Sequence, residues 1–355
     1  MEAALIPGLP ADVALECLVR LPFHAFAGAR CVCKRWREEI TSPSFYRLRK
    51  ASGHARPLVA LVRSIPSHDA GFKNLILFDP TTGVWTRLLQ FFDWSEYCQV
   101  AAVGHELVVI GVGRPPTGTV HVYNLLTGVR RRGATMPRPL RATFAFATSA
   151  EARMAYVAGG ENVHGMPLRS ALAYDVAADA WVRLPDMERP RKECRGIFVN
   201  GAFCVRGGQE LFDWTSEAFD VEAGRWTAKQ GKLLEKALIG PWIGVAAYEG
   251  RVYRCDYWKG GVDVCSDNGG EGGWRSLGVV SKKVHELPIP VFLDVAAWNG
   301  GVMVVRKFYG GQTASILEEG KWKEVVLPRK VALSWKVKLP WKFSAYVQTL
   351  CSFQL

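Results

Sequence analysis

A single period organises most of this chain, and two unrelated landmarks keep it. The first is an aspartate followed six residues later by a tryptophan: Asp79 with Trp85, Asp175 with Trp181 and Asp220 with Trp226. A degenerate copy, Asn124 with Arg130, fills the gap, so that the leading residues stand 45, 51 and 45 apart. Trp274 and Trp322 continue the series at spacings of 48. The second landmark is a two-residue turn between apolar runs: Asn200-Gly201, Glu249-Gly250 and Asn299-Gly300, with Gly104 two periods ahead of Gly201. Asn-Gly supplies the positive φ of a tight hairpin, so each turn joins two antiparallel strands. Six units result. A unit this short cannot bury a face alone and must stack on its neighbours.

Within a unit the order is strand A, the hairpin, strand B ending in glycines (Tyr156-Val157-Ala158-Gly159-Gly160), strand C (Ala171-Leu172-Ala173-Tyr174-Asp175) and strand D with the tryptophan. Four antiparallel strands in roughly 50 residues make a propeller blade. The double glycine, the Tyr-Asp and the following tryptophan resemble kelch repeats, most clearly over residues 141–187. The first unit has strands B, C and D at residues 58–63, 74–79 and 84–88, but no strand A. Residues 345–351 are β-like and follow the sixth unit. They are predicted to supply the missing strand, closing the ring and removing its open edges.

Residues 9–50 read differently, with Gly28 as their only glycine and apolar residues at helical spacing. Leu15, Leu18, Val19 and Leu21 line one face of a helix that starts near Pro10. Proline is tolerated in a first turn, Asp12 suits the positive end of the dipole, and Pro22 ends the element. A second helical pattern covers residues 25–40, with Val32, Trp36 and Ile40 four apart, and Ser42-Pro43 opens a third helix to Lys50. About 45 residues bury too little surface to be stable alone, so this segment is expected to dock on a partner or on the rest of the chain.

The run Leu9-Pro10-Ala11-Asp12 through Leu18-Val19-Arg20-Leu21-Pro22, followed by Arg30-Cys31-Val32-Cys33-Lys34-Arg35-Trp36, resembles an F-box. The whole then reads as a small all-α F-box domain (3–50) followed by an all-β six-bladed kelch-type propeller (57–355). The resemblance implies that Leu9, Pro10, Leu15 and Leu18 face a Skp-family adaptor, and through it a cullin. It also implies that Leu21, Pro22, Val32, Cys33 and Trp36 are shared between that contact and the domain's own core.

Hydrophobic residues make up 49% of the 355 and charged residues 22%, which excludes a disordered chain. No run reaches about 18 uninterrupted apolar residues, and the first eight residues lack a signal peptide's regions, so neither membrane spanning nor secretion is expected. The nine cysteines include no C-x-x-C pair and sit mostly in apolar runs. That fits reduced thiols, no metal, and residence in the cytoplasm and/or nucleus. A phosphate loop, G-x-S-x-G and H-E-x-x-H are all absent, so neither catalysis nor a cofactor is expected. Tyr257 and Cys255 raise the thioether-linked pair of copper oxidases built on kelch propellers; without a histidine set they read as core.

The net charge of +12 points to an anionic partner. In a four-stranded antiparallel blade the D-to-A and B-to-C loops share one face. Here that face carries Arg138, Arg141, Arg189, Arg191 and Lys192 in D-to-A loops, Trp258 in a B-to-C loop, and Lys330 and Trp335 before the closing strand. Arginine and tryptophan are strong interface anchors. These residues are the expected contacts to an acidic patch on a substrate protein, although each arginine can instead pair with a blade carboxylate or stack on a neighbouring tryptophan. The cations are spread over several blades with no RNA-binding signature, which argues against nucleic acid.

An F-box followed at once by a propeller resembles the plant-type F-box/kelch-repeat proteins over nearly the whole chain. The resemblance implies a non-catalytic substrate-recognition subunit of a Skp-cullin-F-box ubiquitin ligase. Its implied targets include phenylalanine ammonia-lyase, chalcone synthase or cytokinin response regulators, and a propeller scaffold outside a cullin ligase is the alternative.

Overall fold

A computed structural model describes residues 4–64, 72–92, 97–112, 118–149, 151–207, 215–227, 243–256, 260–266, 274–280, 290–308, 311–327 and 347–355. The N-terminal segment is helical, as its spacing predicts. Helix α1 (Ala11–Val19) follows Pro10 and carries Asp12 in its first turn. A 3-10 turn (Phe23–Ala25) leads to α2 (Phe26–Val32), α3 (Lys34–Thr41) and α4 (Pro43–Ala51). The one helical pattern expected over residues 25–40 is therefore two helices, α2 and α3. The chain breaks at Cys33, which is extended (φ −157°, ψ 169°) and whose Sγ accepts the Trp36 N–H at 3.4 Å. A thiol read as helix interior caps a new helix instead. Ser42 caps α4 as predicted, its Oγ accepting from the Phe45 N–H at 3.1 Å with Pro43 in the first turn.

Six four-stranded antiparallel sheets follow. Blade 1 holds β1 (Pro57–Ser64), β2 (Phe72–Asp79) and β3 (Val84–Phe92). Blade 2 is β4 (Tyr97–Val103), β5 (Glu106–Val112), β6 (Val120–Asn124) and β7 (Arg130–Gly133); blade 3 is β8 (Ala145–Ser149), β9 (Met154–Ala158), β10 (Ala171–Asp175) and β11 (Ala180–Leu184). Blade 4 is β12 (Arg195–Val199), β13 (Ala202–Arg206), β14 (Ser216–Asp220) and β15 (Arg225–Thr227); blade 5 is β16 (Ile243–Tyr248), β17 (Arg251–Asp256), β18 (Gly261–Ser266) and β19 (Arg275–Val279). Blade 6 is β20 (Pro290–Trp298), β21 (Gly301–Phe308), β22 (Gly311–Glu318) and β23 (Lys321–Val325).

The last strand, β24 (Val347–Gln354), returns to blade 1 and pairs antiparallel with β1, Leu58 opposite Phe353 and Ala60 opposite Cys351. The predicted closure is present and runs three residues further than the expected end at 351. The first strands of neighbouring blades touch around the whole ring, with β24 between β20 and β4. Every blade thus has two neighbours to cover its faces, which is what a repeat without a core of its own needs.

The repeat's landmarks have physical duties. Asp79 Oδ1 accepts from the Thr81 and Thr82 N–H, and Asp175 Oδ1 from those of Ala177 and Ala178, so the aspartate caps the turn between strands C and D. Asn124 caps its own turn through Leu126 and Thr127, which explains how the degenerate copy survives. The tryptophan ties one blade to the one before: Trp181 Nε1 donates to Ala134 O at 2.8 Å and Trp226 Nε1 to Pro185 O at 2.7 Å. At the Asn200-Gly201 turn both residues take positive φ, 49° and 75°.

The helical segment docks on the propeller. Leu18, Val19, Phe26, Ile40 and Phe45 share one buried cluster with Leu58, Leu75, Val109, Leu125, Leu126, Phe353 and Leu355. Tyr46 packs edge-on against His105 of the β4–β5 turn at 5.3 Å between ring centroids. Arg30 Nη1 donates to Leu126 O across the same seam. A small helical domain without enough surface to bury obtains it from blades 1 and 2.

Candidate functional site: two exposed surfaces on one body

The first surface lies on α1 and the α2–α3 junction. Leu9 is 38% exposed, Val13 44% and Val32 62%, with Pro10, Cys17, Cys31 and Cys33 exposed as well. Within α1, Val13 and Cys17 are four residues apart and share one flank, and Leu9 stands exposed just before the helix. Leu15, Leu21, Pro22 and Trp36 are half-buried, and Trp36 Nε1 donates to Leu5 O at 2.7 Å. Leu18 corrects the sequence reading. At four residues from fully buried Ala14 it lies on the inner face and is core rather than a free adaptor contact. Val13 was missed because it stands off the Leu15–Leu18 stripe; its four-residue spacing to Cys17 was the available signal.

The second surface is the loop face. Arg138 and Arg189 are exposed there and Lys192 is half-buried. Arg141 and Arg191 overturn their expectation: each is only 1% exposed. Arg141 donates from Nη1 to Gly159 O (3.2 Å) and Ser170 O (2.7 Å) and from Nη2 to Ser170 Oγ (2.9 Å). It clamps the two ends of the blade 3 B-to-C loop, and burial pushes its guanidinium down to about 10, leaving it charged at neutral pH. Arg191 pairs with buried Glu217 at 2.9 Å and donates to Thr215 Oγ1 at 3.0 Å. Glu217 in turn accepts the backbone N–H of Glu188 (2.7 Å) and Arg189 (3.2 Å). Both arginines therefore brace the loops from beneath. Trp258, Lys330 and Trp335 lie outside the described residues.

Between the loops an axial channel of about 220 Å³ runs along the inner strands, lined by residues such as Gln99, Thr148, Arg195, Arg206, Asp294 and Ser352. Gln99 Nε2 donates to Phe144 O and Thr148 Oγ1 to Ala102 O, both at 2.7 Å, so these polar side chains stitch adjacent inner strands together. Buried thiols are poor nucleophiles here: burial pushes Cys194 up to about 11, and Cys204 and Cys255 up to about 12. Tyr257 lies outside the described residues. Among the described residues no group of three or more histidine, cysteine or carboxylate side chains is arranged to hold a metal ion.

Comparison with known proteins bears on both surfaces. The F-box domain family matches residues 6–48 and the Kelch motif family residues 155–188. F-box/kelch-repeat protein At1g80440 of Arabidopsis thaliana is 34% identical over 310 residues, 80% of this chain and 84% of its own. F-box/kelch-repeat protein At1g15670 of the same plant is 37% identical over 276 residues, 71% of this chain and 77% of its own. This chain belongs to the F-box/kelch-repeat proteins. In such an F-box/kelch-repeat protein the F-box implies binding of a Skp-family adaptor, and the propeller binding of a substrate. The family's role is that of an adaptor rather than a catalyst. A solved structure, that of YjhT, aligns at a TM-score of 0.48 and 15% identity over 64% of this chain and 82% of its own; the propeller assignment rests on the strand pairing above.

Proposed function

We propose that this F-box/kelch-repeat protein is the substrate receptor of a Skp-cullin-F-box ubiquitin ligase. The adaptor, and through it the cullin, docks on exposed residues of the helical domain, among them Leu9, Pro10, Val13, Val32 and Cys33. A target protein with an acidic patch docks on the loop face, where Arg138 and Arg189 stand free of any ion pair among the described residues. The observation that carries this reading is the buried cluster shared by helices, blade 1 and blade 2. It holds the two surfaces in one fixed relation, and transfer by proximity needs that geometry to raise the effective concentration of target lysines.

The test uses the full chain, because removing residues 1–50 would strip the shared core from blades 1 and 2. Tagged wild type and the double variant Leu9→Asp, Val32→Asp are recovered from cells held with a proteasome inhibitor, and co-purifying proteins are identified by mass spectrometry. Loss of adaptor and cullin from the variant, with a second set of proteins retained and enriched, supports the reading. That second set also separates phenylpropanoid or flavonoid enzymes such as phenylalanine ammonia-lyase from cytokinin response regulators. Failure of wild type to recover adaptor or cullin overturns the reading in favour of a propeller scaffold.

A further inference from the structure

Five of the six blades set a half-buried tryptophan at or beside the start of their outer strand: Trp85, Trp181, Trp226, Trp274 and Trp322. Blade 2 has Arg130 there instead, and Arg130 is exposed. The tryptophan ties a blade to the one before, as Trp181 and Trp226 do. An exposed arginine makes no such tie.

What sets blade 2 apart is its contact with the helical domain. Its β6–β7 turn lies against α2: Arg30 Nη1 donates to Leu126 O, and a Cβ placed at Gly128 would come within 2.9 Å of Arg30 Nη2. Tyr123 packs on the buried cluster that the two domains share. Arg130 stands opposite Tyr123 across β6 and β7, and Arg132 opposite His121. Residues opposite one another, and residues two apart on a strand, share a face, so both arginines lie on the side of blade 2 that meets the helices. Arg131 takes the other side and pairs with Asp179 of blade 3 at 3.0 Å. Arg132, like Arg130, is exposed, and neither has an ion pair among the described residues.

The cationic strip continues onto the helices. Arg37 Nε donates to Arg30 O at 3.1 Å, and Lys34, 88% exposed at its side chain, pairs with Glu38 at 3.6 Å. Two exposed valines flank the Arg30 crossing: Val32 (62%), two residues beyond Arg30, and Val129 (61%), next to Gly128. Charges on an outer strand also guard it against edge pairing. Other outer strands carry Arg183, or Lys321 and Lys323, for that purpose and keep their tryptophan, so edge protection does not account for the exchange in blade 2.

Val32 belongs to the exposed residues on which the adaptor docks, and this continuity names the occupant of the strip. Resting on the receptor reading above, we infer that the adaptor reaches past the helical domain onto blade 2, where an acidic segment of the adaptor, with an apolar side chain among its carboxylates, lies along Val129, Arg130 and Arg132. Arginine's planar fork suits carboxylates, and charges at the rim of an interface speed and orient docking. Contact on both sides of the Arg30 crossing fixes the direction in which the propeller points from the adaptor.

The experiment titrates purified Skp-family adaptor into the full chain by calorimetry at ionic strengths of about 50 and 200 mM. Wild type is compared with the pair Arg130→Gln, Arg132→Gln, with the pair Arg130→Glu, Arg132→Glu, and with Val129→Asp. The expected result at the lower salt is an affinity at least about tenfold weaker for the glutamate pair, a smaller loss for the glutamine pair, and a shallower salt dependence for both. Val129→Asp should weaken binding as well. All three positions are exposed, so melting temperatures should match wild type, and the glutamine pair keeps the comparison valid if the glutamate pair melts lower. Adaptor affinity equal to wild type in every variant overturns the proposal; loss of captured target in the same variants would then give the strip to the target. Wild type that binds no adaptor overturns the receptor reading itself, and is distinct from wild type that binds adaptor as its variants do.

Discussion

Arg49 of α4 donates from Nη2 to the backbone oxygen of Leu355 at 3.1 Å, joining the helical domain to the end of the strand that closes the propeller. The same guanidinium donates to Val19 O, to Leu21 O at 2.8 Å and to His54 O at 3.1 Å, and lies 5.0 Å from the ring centre of Phe26. Leu355 and Arg56 exchange both backbone hydrogen bonds at 3.0 Å. Arg49 is 1% exposed and burial pushes it down to about 10, so at neutral pH it is a buried cation whose Nη1 and Nη2 are held by backbone oxygens.

Replacing that clasp should be costly. Arg49→Met keeps the apolar stem but removes a donor from the Val19, Leu21, His54 and Leu355 backbone oxygens, of which Leu355 O keeps the Arg56 N–H, and is expected to destabilise the full chain by at least about 3 kcal/mol. Chemical denaturation of wild type and variant measures it. A loss under about 1 kcal/mol would mean that the clasp is incidental to domain docking.

Closure by β24 makes a sharper claim about the ring. Deleting residues 347–355 uncovers the edge of β1 and removes Phe353 and Leu355 from the core shared with the helices. The expected outcome is loss of cooperative melting for the whole propeller. An unchanged melting temperature contradicts the closure.

Two arginines two residues apart separate bracing from recognition. Arg191→Gln leaves Glu217 buried without its charge partner and is expected to cost about 3 kcal/mol or more. Arg189→Glu, at an exposed position, should leave the melting temperature unchanged while weakening target capture. Equal stability losses in the two variants would contradict this division.

Acid stability offers a check on the seam between blades 2 and 3. The Tyr174 hydroxyl, the Ala134 N–H at 2.8 Å and Arg131 at 3.0 Å all favour the charged form of Asp179 and hold its carboxyl below the usual range. A folded-state value below the unfolded one contributes stability that is present above the unfolded value and lost as pH falls through the folded value. Asp179→Asn should therefore melt lower than wild type at pH 6, and the gap should narrow as both are taken below about pH 4. Asparagine tolerates the left-handed backbone at this position (φ 54°), so the comparison isolates the charge. A gap that stays constant with pH would show that the carboxylate's charge is not what holds the seam.

The blade count and ring closure were legible because turn and seam chemistry repeats. Each Asp or Asn cap and each interblade tryptophan is a local answer to a local problem, so its spacing survives in the sequence. The helix break at Cys33 was hidden, since cysteine is a weak capping signal and the flanking apolar spacing continues through it. The loop face was read in outline and misread in detail. Arg138, Arg141, Arg189 and Arg191 look alike in sequence, and only the partners brought in by strand pairing, Ser170 for Arg141 and Glu217 for Arg191, decide which are buried. Leu18 was misassigned for a related reason: an amphipathic stripe shows that a helix buries one side, not whether a partner or its own chain covers it.

The central claim is that an adaptor surface and a target surface on one rigid body together direct ubiquitin transfer. Its most direct test is ubiquitin transfer to the captured protein, reconstituted with purified adaptor, cullin-RING subunits and conjugating enzyme. Wild type should support transfer, while Val32→Asp and Arg189→Glu should each abolish or strongly reduce it, the first by losing the adaptor and the second by losing the target. Undiminished transfer with both variants, or none with wild type despite bound adaptor and target, would contradict the account.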